Sequence, residues 1–482
     1  MFVGVDIGTQ SLKVVVTDGS LAPKGTARRP YQPSFPRPGW AEQAPALWEQ
    51  ALGPAIAAAL VAAGVPPADI RGLGISGQLD GCIAVDEAGL PLGPCLIWMD
   101  RRATDETAAV PNDLVRRKTG IMADAGHMAA KVRWLKRHRL DGRPARFHQP
   151  VSYMVERLTG AVVIDHALAS TTMVASLERP RYDQELLDLF EIDAGELPRI
   201  DRAEALAGRL HEAGAALSGL PVGLPVAVGT GDDFSTVLGA GLLSPGRVAV
   251  GLGTGEVVGA LHPTPLVDKE GLVETHPYPG GSFFIENPGW LGGGSVVWLM
   301  SILGLESPSE LDDLAVSAPP GSDGVIFLPC LSGAMAPRWR AEARGCFYGL
   351  TSAHGRAHMA RAVLEGTAFA MRDVVDRLDA IGVATDTILL LGGGARSRLW
   401  AQIRADVAGR TVTVPHQIDT CPIGAAMLAA VASGTVSNLA NAAASVGHEG
   451  AVFSADPGRR AAYDSAYRAY RRLFDTLEPM FT

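Results

Sequence analysis

The run Val3 to Ile7 predicts a buried strand, Gly8-Thr9-Gln10-Ser11 a turn, and the β-branched stretch Leu12 to Asp18 a returning strand. The same pattern recurs mid-chain: Arg247 to Leu252, the turn Gly253-Thr254-Gly255, then Glu256 to Leu261. A repeat of that length is too long for a solenoid and points to a duplicated domain, the second copy starting near Leu243-Ser244-Pro245-Gly246. Between and beyond the hairpins, helical and strand patterns alternate. Ala46 to Ala63 predicts a helix, Arg71 to Ser76 a short apolar strand, Val226 to Gly229 another strand, and Ser235 to Gly241 a small-residue helix. In the second half, helices are predicted over Ser295 to Leu303 and Trp400 to Ala408. Met359, Val363, Gly366, Ala370, Val374 and Leu378 keep helical spacing through a long one, and Ile388 to Leu391 is a fully apolar strand. Alternating strands and helices imply two α/β domains, 1–243 and 244–482, with a ligand cleft between them.

Composition supports large cores. Of 482 residues, 47% are hydrophobic and 19% charged, which excludes a disordered chain. The formal net charge of -9 argues against nonspecific nucleic-acid binding, and the basic stretch Lys131 to Arg146 lacks interleaved aromatics, so it reads as a solvated face. Five widely spaced cysteines, with no C-x-x-C, disfavour a disulfide framework or structural zinc and suit a reducing cytoplasm. The opening MFVGVDIG reads as a strand, not a signal peptide, and no stretch of about 20 apolar residues suggests a membrane span.

Several motifs carry chemistry. Asp6-x-Gly8-Thr9 sets a carboxylate beside a turn whose glycine lets backbone N–H groups approach a phosphate; the acid can hold Mg²⁺. Gly253-Thr254-Gly255 is its counterpart without the acid, and two facing Gly-Thr hairpins can grip a polyphosphate from both sides. Gly229-Thr230-Gly231-Asp232-Asp233 places two carboxylates at a strand end, suited either to capping a helix or to accepting the proton of an attacking hydroxyl. Gly392-Gly393-Gly394-Ala395 is a strand-to-helix turn without Walker spacing, against which a base and ribose can lie. Gln78, Leu79 and Asp80 at the end of Ile75-Ser76-Gly77, with Trp98-Met99-Asp100-Arg101-Arg102 about 20 residues on, can hydrogen-bond sugar hydroxyls or form a salt-bridged surface loop.

In this order the motifs resemble the FGGY carbohydrate kinases, of the actin/hexokinase (ribonuclease H-like) superfold, over essentially the whole chain. VGVDIGTQSLKVVVTD and VGLGTGE are similar to the family's two phosphate hairpins, and GISGQLDG with LIWMDRRA to its sugar-binding strand and loop. GTGDDFSTVLGAG resembles the segment with the catalytic acid, LLLGGGARSRLWAQIRADVAG the adenine side, and CPIGAAMLAA the closing helix; FLPCLSGAMAPRWRAEARGCFYGLT resembles a long family block. The resemblance implies two duplicated domains around an interdomain cleft, ATP and Mg²⁺ as cofactors, and a small sugar or polyol as partner; a homodimer is left open. It implies Asp232 as general base, with Asp233 the adjacent rival, and Asp6 and Asp232 near Mg²⁺. Gly8, Thr9, Gly253 and Thr254 belong to the phosphate loops, Gly293, Gly393 and Gly394 to the nucleotide site, and Gln78, Leu79, Asp80, Asp100, Asp232 and Asp233 to the sugar side.

Departures bear on the substrate. Gln78-Leu79-Asp80-Gly81 stands where xylulokinases typically read Gln-Met-His-Gly, and where glycerol kinases carry Arg-Glu at the two middle positions. Asp232-Asp233 replaces the Asp-Asn or Asp-Gln of those two groups. The segment 336–345 is closer to glycerol kinases, and Gly392 to Ser397 closer to xylulokinases. Two extra carboxylates favour a neutral polyhydroxylated substrate over a sugar acid, with a ketopentose such as xylulose first and a glycerol- or erythritol-type polyol second. The expected reaction is direct in-line transfer, with Asp232 taking the hydroxyl proton. The rivals are a nonenzymatic ATP-driven clamp, which needs no sugar pocket, and a sugar-sensing regulator derived from a kinase, against which counts that no DNA-binding segment is evident.

Overall fold

The computed structural model describes residues 1–482 apart from 109, 141, 144, 335, 336, 448, 449 and 482, and apart from the side chains of 288–290. Two mixed sheets organise the chain. In the first, the order is Leu206–Arg209, Pro225–Ala227, Gly72–Gly77, Phe2–Ile7, Ser11–Thr17, Pro23–Pro30. In the second it is Glu274–Pro277, Phe283–Trp290, Glu256–His262, Arg247–Leu252, Thr387–Leu391, Thr411–Pro415, Gly450–Phe453. Each sheet pairs its central strand antiparallel with the next strand in sequence and parallel with a later one: Phe2–Ile7 with Ser11–Thr17 and Gly72–Gly77, Arg247–Leu252 with Glu256–His262 and Thr387–Leu391. An antiparallel strand closes the edge beyond the parallel set in both. The repeat in sequence is therefore a repeat in topology, the duplicated actin/hexokinase-like architecture.

The predicted elements recur with small shifts at their ends, as fraying termini allow. The helix over 46–63 is Pro45–Ala63, and the long helix runs Arg356–Ala380. Pro45–Ala63 corrects one expectation: it is long and apolar enough to cross a membrane by length and composition. Here Trp48, Leu52, Ala55, Ile56 and Ala59 are fully buried in the core of the first sheet. The C-terminal amphipathic helix Arg460–Leu477, whose Tyr463, Tyr467, Tyr470 and Phe474 enter the second core, went unread in the sequence.

The boundary expected at Leu243 falls in the connection between the helix Asp232–Gly239 and the strand Arg247–Leu252. The partition by packing is less simple. The helix Cys421–Ala432, from the second half, lies on the first sheet and against Asp232–Gly239. Its approach is backbone to backbone: a Cβ on Gly74 would meet the Ala425 carbonyl at 1.9 Å, and one on Gly424 the Ser235 carbonyl at 2.1 Å. Glycine and alanine here are a condition of close packing. The two crossing helices join the lobes at the floor of the cleft.

Candidate active site

Strand register brings the acids together. Asp6 pairs with Ser76 and Ile7 with Gly77; Thr230 and Gly231 pair in parallel with Ser76 and Gly77. Three neighbouring strands thus end side by side, and their carboxyl ends deliver Asp6, Gln78 and Asp232 to one crevice, where open α/β sheets commonly bind ligands. Asp232 and Asp233 open the helix Asp232–Gly239 with Gly231 as its cap residue. Thr230 Oγ1 donates to Asp165 Oδ2 at 2.9 Å, and Asp165 itself caps the helix His166–Ser170, so the approach to Asp232 is tethered.

A cleft of about 400 Å³ between the lobes is lined by both hairpins and by Gln78, Leu79 and Asp80. Of the residues singled out in sequence, it brings together Asp6, Thr9, Gln78, Leu79, Asp80, Asp232, Asp233 and Gly253. Gly8, Thr254, Gly293, Gly393 and Gly394 stand behind or beside it. Gly293 N–H donates to the Gly253 carbonyl at 3.0 Å, and a Cβ there would come within 2.2 Å of that oxygen, so it supports the second hairpin from below. Gly392, at φ 82°, lines the cleft, while Gly393 is exposed. Asp100 is placed elsewhere: it is fully buried, accepts from Ala41 N–H at 2.7 Å, and holds Arg102 in a paired bond at 2.6–2.9 Å. Both its oxygens are spent on the loop that frames the cleft. Within the family-like block 327–351, residues 335 and 336 lie outside the described residues.

The geometry adds residues that spacing could not reveal. Lys13 lies between the halves, its Nζ 3.1 Å from Asp419 Oδ1 and 3.9 Å from Asp6 Oδ2. Trp98, already singled out in sequence, donates from Nε1 to Thr9 Oγ1 at 3.0 Å and ties its loop to the first hairpin. His127 Nδ1 sits 3.0 Å from Asp80 Oδ1, and Glu274, His276 and Glu286 enter from the second sheet. Lys131 overturns the solvated-face reading of its stretch. It is fully buried and donates to the carbonyls of Asp80 (2.8 Å), Ile97 (2.9 Å) and Gly126, fastening three segments beside the cleft. Asp80 stands at φ 61°, a left-handed conformation a non-glycine residue rarely adopts. Lys131 on its carbonyl and Gln149 Oε1 on its N–H at 2.9 Å hold it there, with the carboxylate aimed at His127.

Burial and like charges set the protonation behaviour. Burial, then Asp233 and Asp6, push the Asp232 carboxyl well above the usual range; burial, then Asp80 and Asp6, lift Asp233 to about 7. Burial raises Asp6 to about 6 against the pull of Lys13. Burial opposes a charge on His127, but Asp80, then Glu274 and Asp124, outweigh it and hold its pKa at about 9. Such strongly raised carboxyls, clustered and buried in one cleft, mark it as a candidate active site.

The residues also fit a hard divalent cation. Asp6 Oδ1 is buried with no hydrogen-bond partner among the described residues, beside the Asp232 carboxylate. No three His, Cys, Asp or Glu side chains among the described residues form a self-contained metal cage. That donor set suits Mg²⁺, which is commonly held by one or two carboxylates together with substrate phosphates.

Comparison with known proteins agrees with this arrangement. Residues 1–239 match the N-terminal domain model of the FGGY family of carbohydrate kinases, and 248–433 the C-terminal domain model. The chain is 33% identical to a glycerol kinase of Geobacter sp. (strain M21) over 91% of each chain, and 30% identical to the xylulose kinase of Escherichia coli (strain K12) over the full length of both. It superposes on the crystal structure of xylulose kinase from Rhodospirillum rubrum with a TM-score of 0.89 at 30% identity, covering 100% of this chain and 99% of that one. With both family domains matched in order around a cleft that holds the paired hairpins and the buried acids, the chain belongs to the FGGY family of carbohydrate kinases.

Proposed function

We propose that this ATP-dependent carbohydrate kinase phosphorylates a neutral ketopentose such as xylulose, with Asp232 as the proton acceptor. The carrying observation is the convergence of Asp232, Gln78, Asp80, Glu274 and Glu286 on one cleft with the two Gly-Thr hairpins. So many acceptors surround the cleft that a substrate with several hydroxyls beyond the reacting one satisfies them better than glycerol does. A glycerol- or erythritol-type polyol is the second reading, favoured by the identity to the Geobacter glycerol kinase.

In this reading the first half, 1–243, carries the sugar side and the base, and the second half, 244–482, the nucleotide side. The hairpin amides around Gly8-Thr9 and Gly253-Thr254 cradle the phosphates, and Lys13 offsets their charge. Asp6 and Asp232 would hold Mg²⁺, which when bound neutralises phosphate charge. Asp232 orients the attacking hydroxyl and accepts its proton late, because phosphoryl transition states are loose and most of the rate comes from positioning. Leu79 and Trp98 help exclude the water that would otherwise consume ATP.

The test is ADP release with MgATP across ketopentoses, polyols, glycerol and erythritol. Asp232→Asn folds, keeps the melting temperature within a few degrees, and lowers kcat about 10²–10⁴-fold. Undiminished turnover in that variant refutes the base assignment, and no stimulation by any acceptor refutes the substrate reading.

A further inference from the structure

At the wall of the cleft, the second sheet presents a hydrogen-bonded row whose direction can be read atom by atom. Ser170 Oγ lies 2.6 Å from the Ala167 carbonyl and 2.8 Å from His276 Nδ1. A carbonyl only accepts, so the single hydroxyl proton of Ser170 goes to Ala167. Ser170 must then accept from His276, and the His276 ring proton sits on Nδ1. His276 is buried and neutral, since burial drives its pKa down to about 3. Its Nε2 is therefore a bare acceptor, and Glu286 Oε1 faces it at 3.4 Å. The contact is longer than a formed hydrogen bond, and Glu274 Oε2 stands 3.9 Å from the same nitrogen; a proton on Glu286 turns the facing acceptors into a donor and an acceptor that can close into one. The surroundings agree: burial, then Asp233, Glu274 and Asp232, push the Glu286 carboxyl well above its usual range. The other oxygen, Oε2, is buried and has no partner among the described residues, and Glu286 lines the cleft. Gln78 Oε1 is a second buried acceptor on the same cleft without a partner among the described residues.

We propose that Glu286 is a specificity residue that works as a neutral carboxylic acid: its Oε1–H donates to His276, and its Oε2 accepts from a hydroxyl of an uncharged polyhydroxylated substrate. Ser170 and His276 are positioning residues that select this form. The inference rests on the sugar-kinase reading of the same cleft, and adds how the substrate's non-reacting hydroxyls are recognised. A sugar acid brings an acceptor where a donor is required, and meets Asp80 and Asp233 nearby, so it is turned away.

Glutamine separates a neutral acid from a carboxylate. In Glu286→Gln the amide donates to His276 and its oxygen accepts as before; in Glu286→Ala both are lost. Xylulose, erythritol and xylonate are titrated into wild type and both variants by calorimetry without nucleotide, and KM and kcat are measured in parallel. The expected result is Glu286→Gln within about 3-fold of wild type for the neutral substrate that binds best, and Glu286→Ala weaker by about 10–100-fold with kcat far less affected, as for a lost hydrogen bond to a buried group. Xylonate binds none of them. Glutamine as damaging as alanine overturns the neutral-acid form, and unchanged affinity in both variants overturns the specificity role. Tight xylonate binding, or no binding of any neutral sugar to wild type, overturns the inference as well. Absent turnover with intact sugar binding refutes the kinase reading alone.

Discussion

Glu256 leads directly out of the Gly253-Thr254-Gly255 turn, paired across it with Leu252. Its carboxylate meets the Arg404 guanidinium in a two-pronged bond, 2.8 Å to Oε1 and 2.6 Å to Oε2, with both side chains essentially out of water. Arg404 also lies 4.8 Å from the Trp400 ring centre. Removing only the guanidinium, as in Arg404→Leu, leaves a buried charge with no partner, a loss of about 3–5 kcal/mol. At about 2–4 °C per kcal/mol for domains of this size, the melting temperature falls by roughly 6–20 °C. Removing both partners by apolar residues is far milder, because the pair's desolvation cost disappears along with its attraction. The assay is a double-mutant cycle of Arg404→Leu, Glu256→Leu and the double variant, followed by thermal unfolding. A coupling of about 2 kcal/mol or more is expected, together with a raised KM for MgATP in Arg404→Leu. If the double variant loses as much as the two single variants added together, the coupling is zero, the pair does not act as a unit, and the reasoning fails.

Two further outcomes follow from the sugar side. Lys131→Met strands the carbonyls of Asp80, Ile97 and Gly126 without their donor; we expect a loss of roughly 3–6 kcal/mol in denaturant unfolding and a weaker sugar KM, whereas a near-neutral change would show that water replaces the ammonium. His127 has a folded pKa of about 9, above its ordinary 6.5. Its charge, held by Asp80 first and then by Glu274 and Asp124, therefore contributes stability fully below pH 6.5 and loses it as pH rises through 9, about 3 kcal/mol in all. The sugar KM should climb between pH 8 and 10 and the climb should vanish in Asp80→Asn; a wild-type profile flat through pH 10 would contradict the ion pair.

The sequence made the hairpins and Asp232 visible because their signals are local. An apolar run, a Gly-Thr turn and a β-branched return lie within about 16 residues, and the repeat reinforces each copy. Glu286, His276, Glu274 and His127 left no such trace. Each is an isolated polar residue in an unremarkable stretch; pairing within the second sheet sets Glu274 opposite Glu286, His127 opens the helix Met128–His138, and only the facing of the two lobes brings them to Asp80. Asp100 shows the converse: an Asp-Arg-Arg cluster looks apt for hydroxyls, yet Arg102 and the Ala41 amide consume it. Lys131 was hidden by its basic neighbours, because charge runs do not disclose which member turns inward.

The helix Cys421–Ala432 matters for biosynthesis. It covers one face of the first sheet, yet it is made long after the strands it covers. At typical elongation rates of about 5–20 residues per second, roughly 10–40 s separate residue 243 from residue 432 on the ribosome. Throughout that interval the glycine-lined face of the first lobe stays uncovered, and the nascent chain offers apolar surface to chaperones or to its neighbours. Final closure of the first lobe is thus a late, long-range event, and a truncation before residue 421 is expected to leave that lobe aggregation-prone even though every one of its own strands is present.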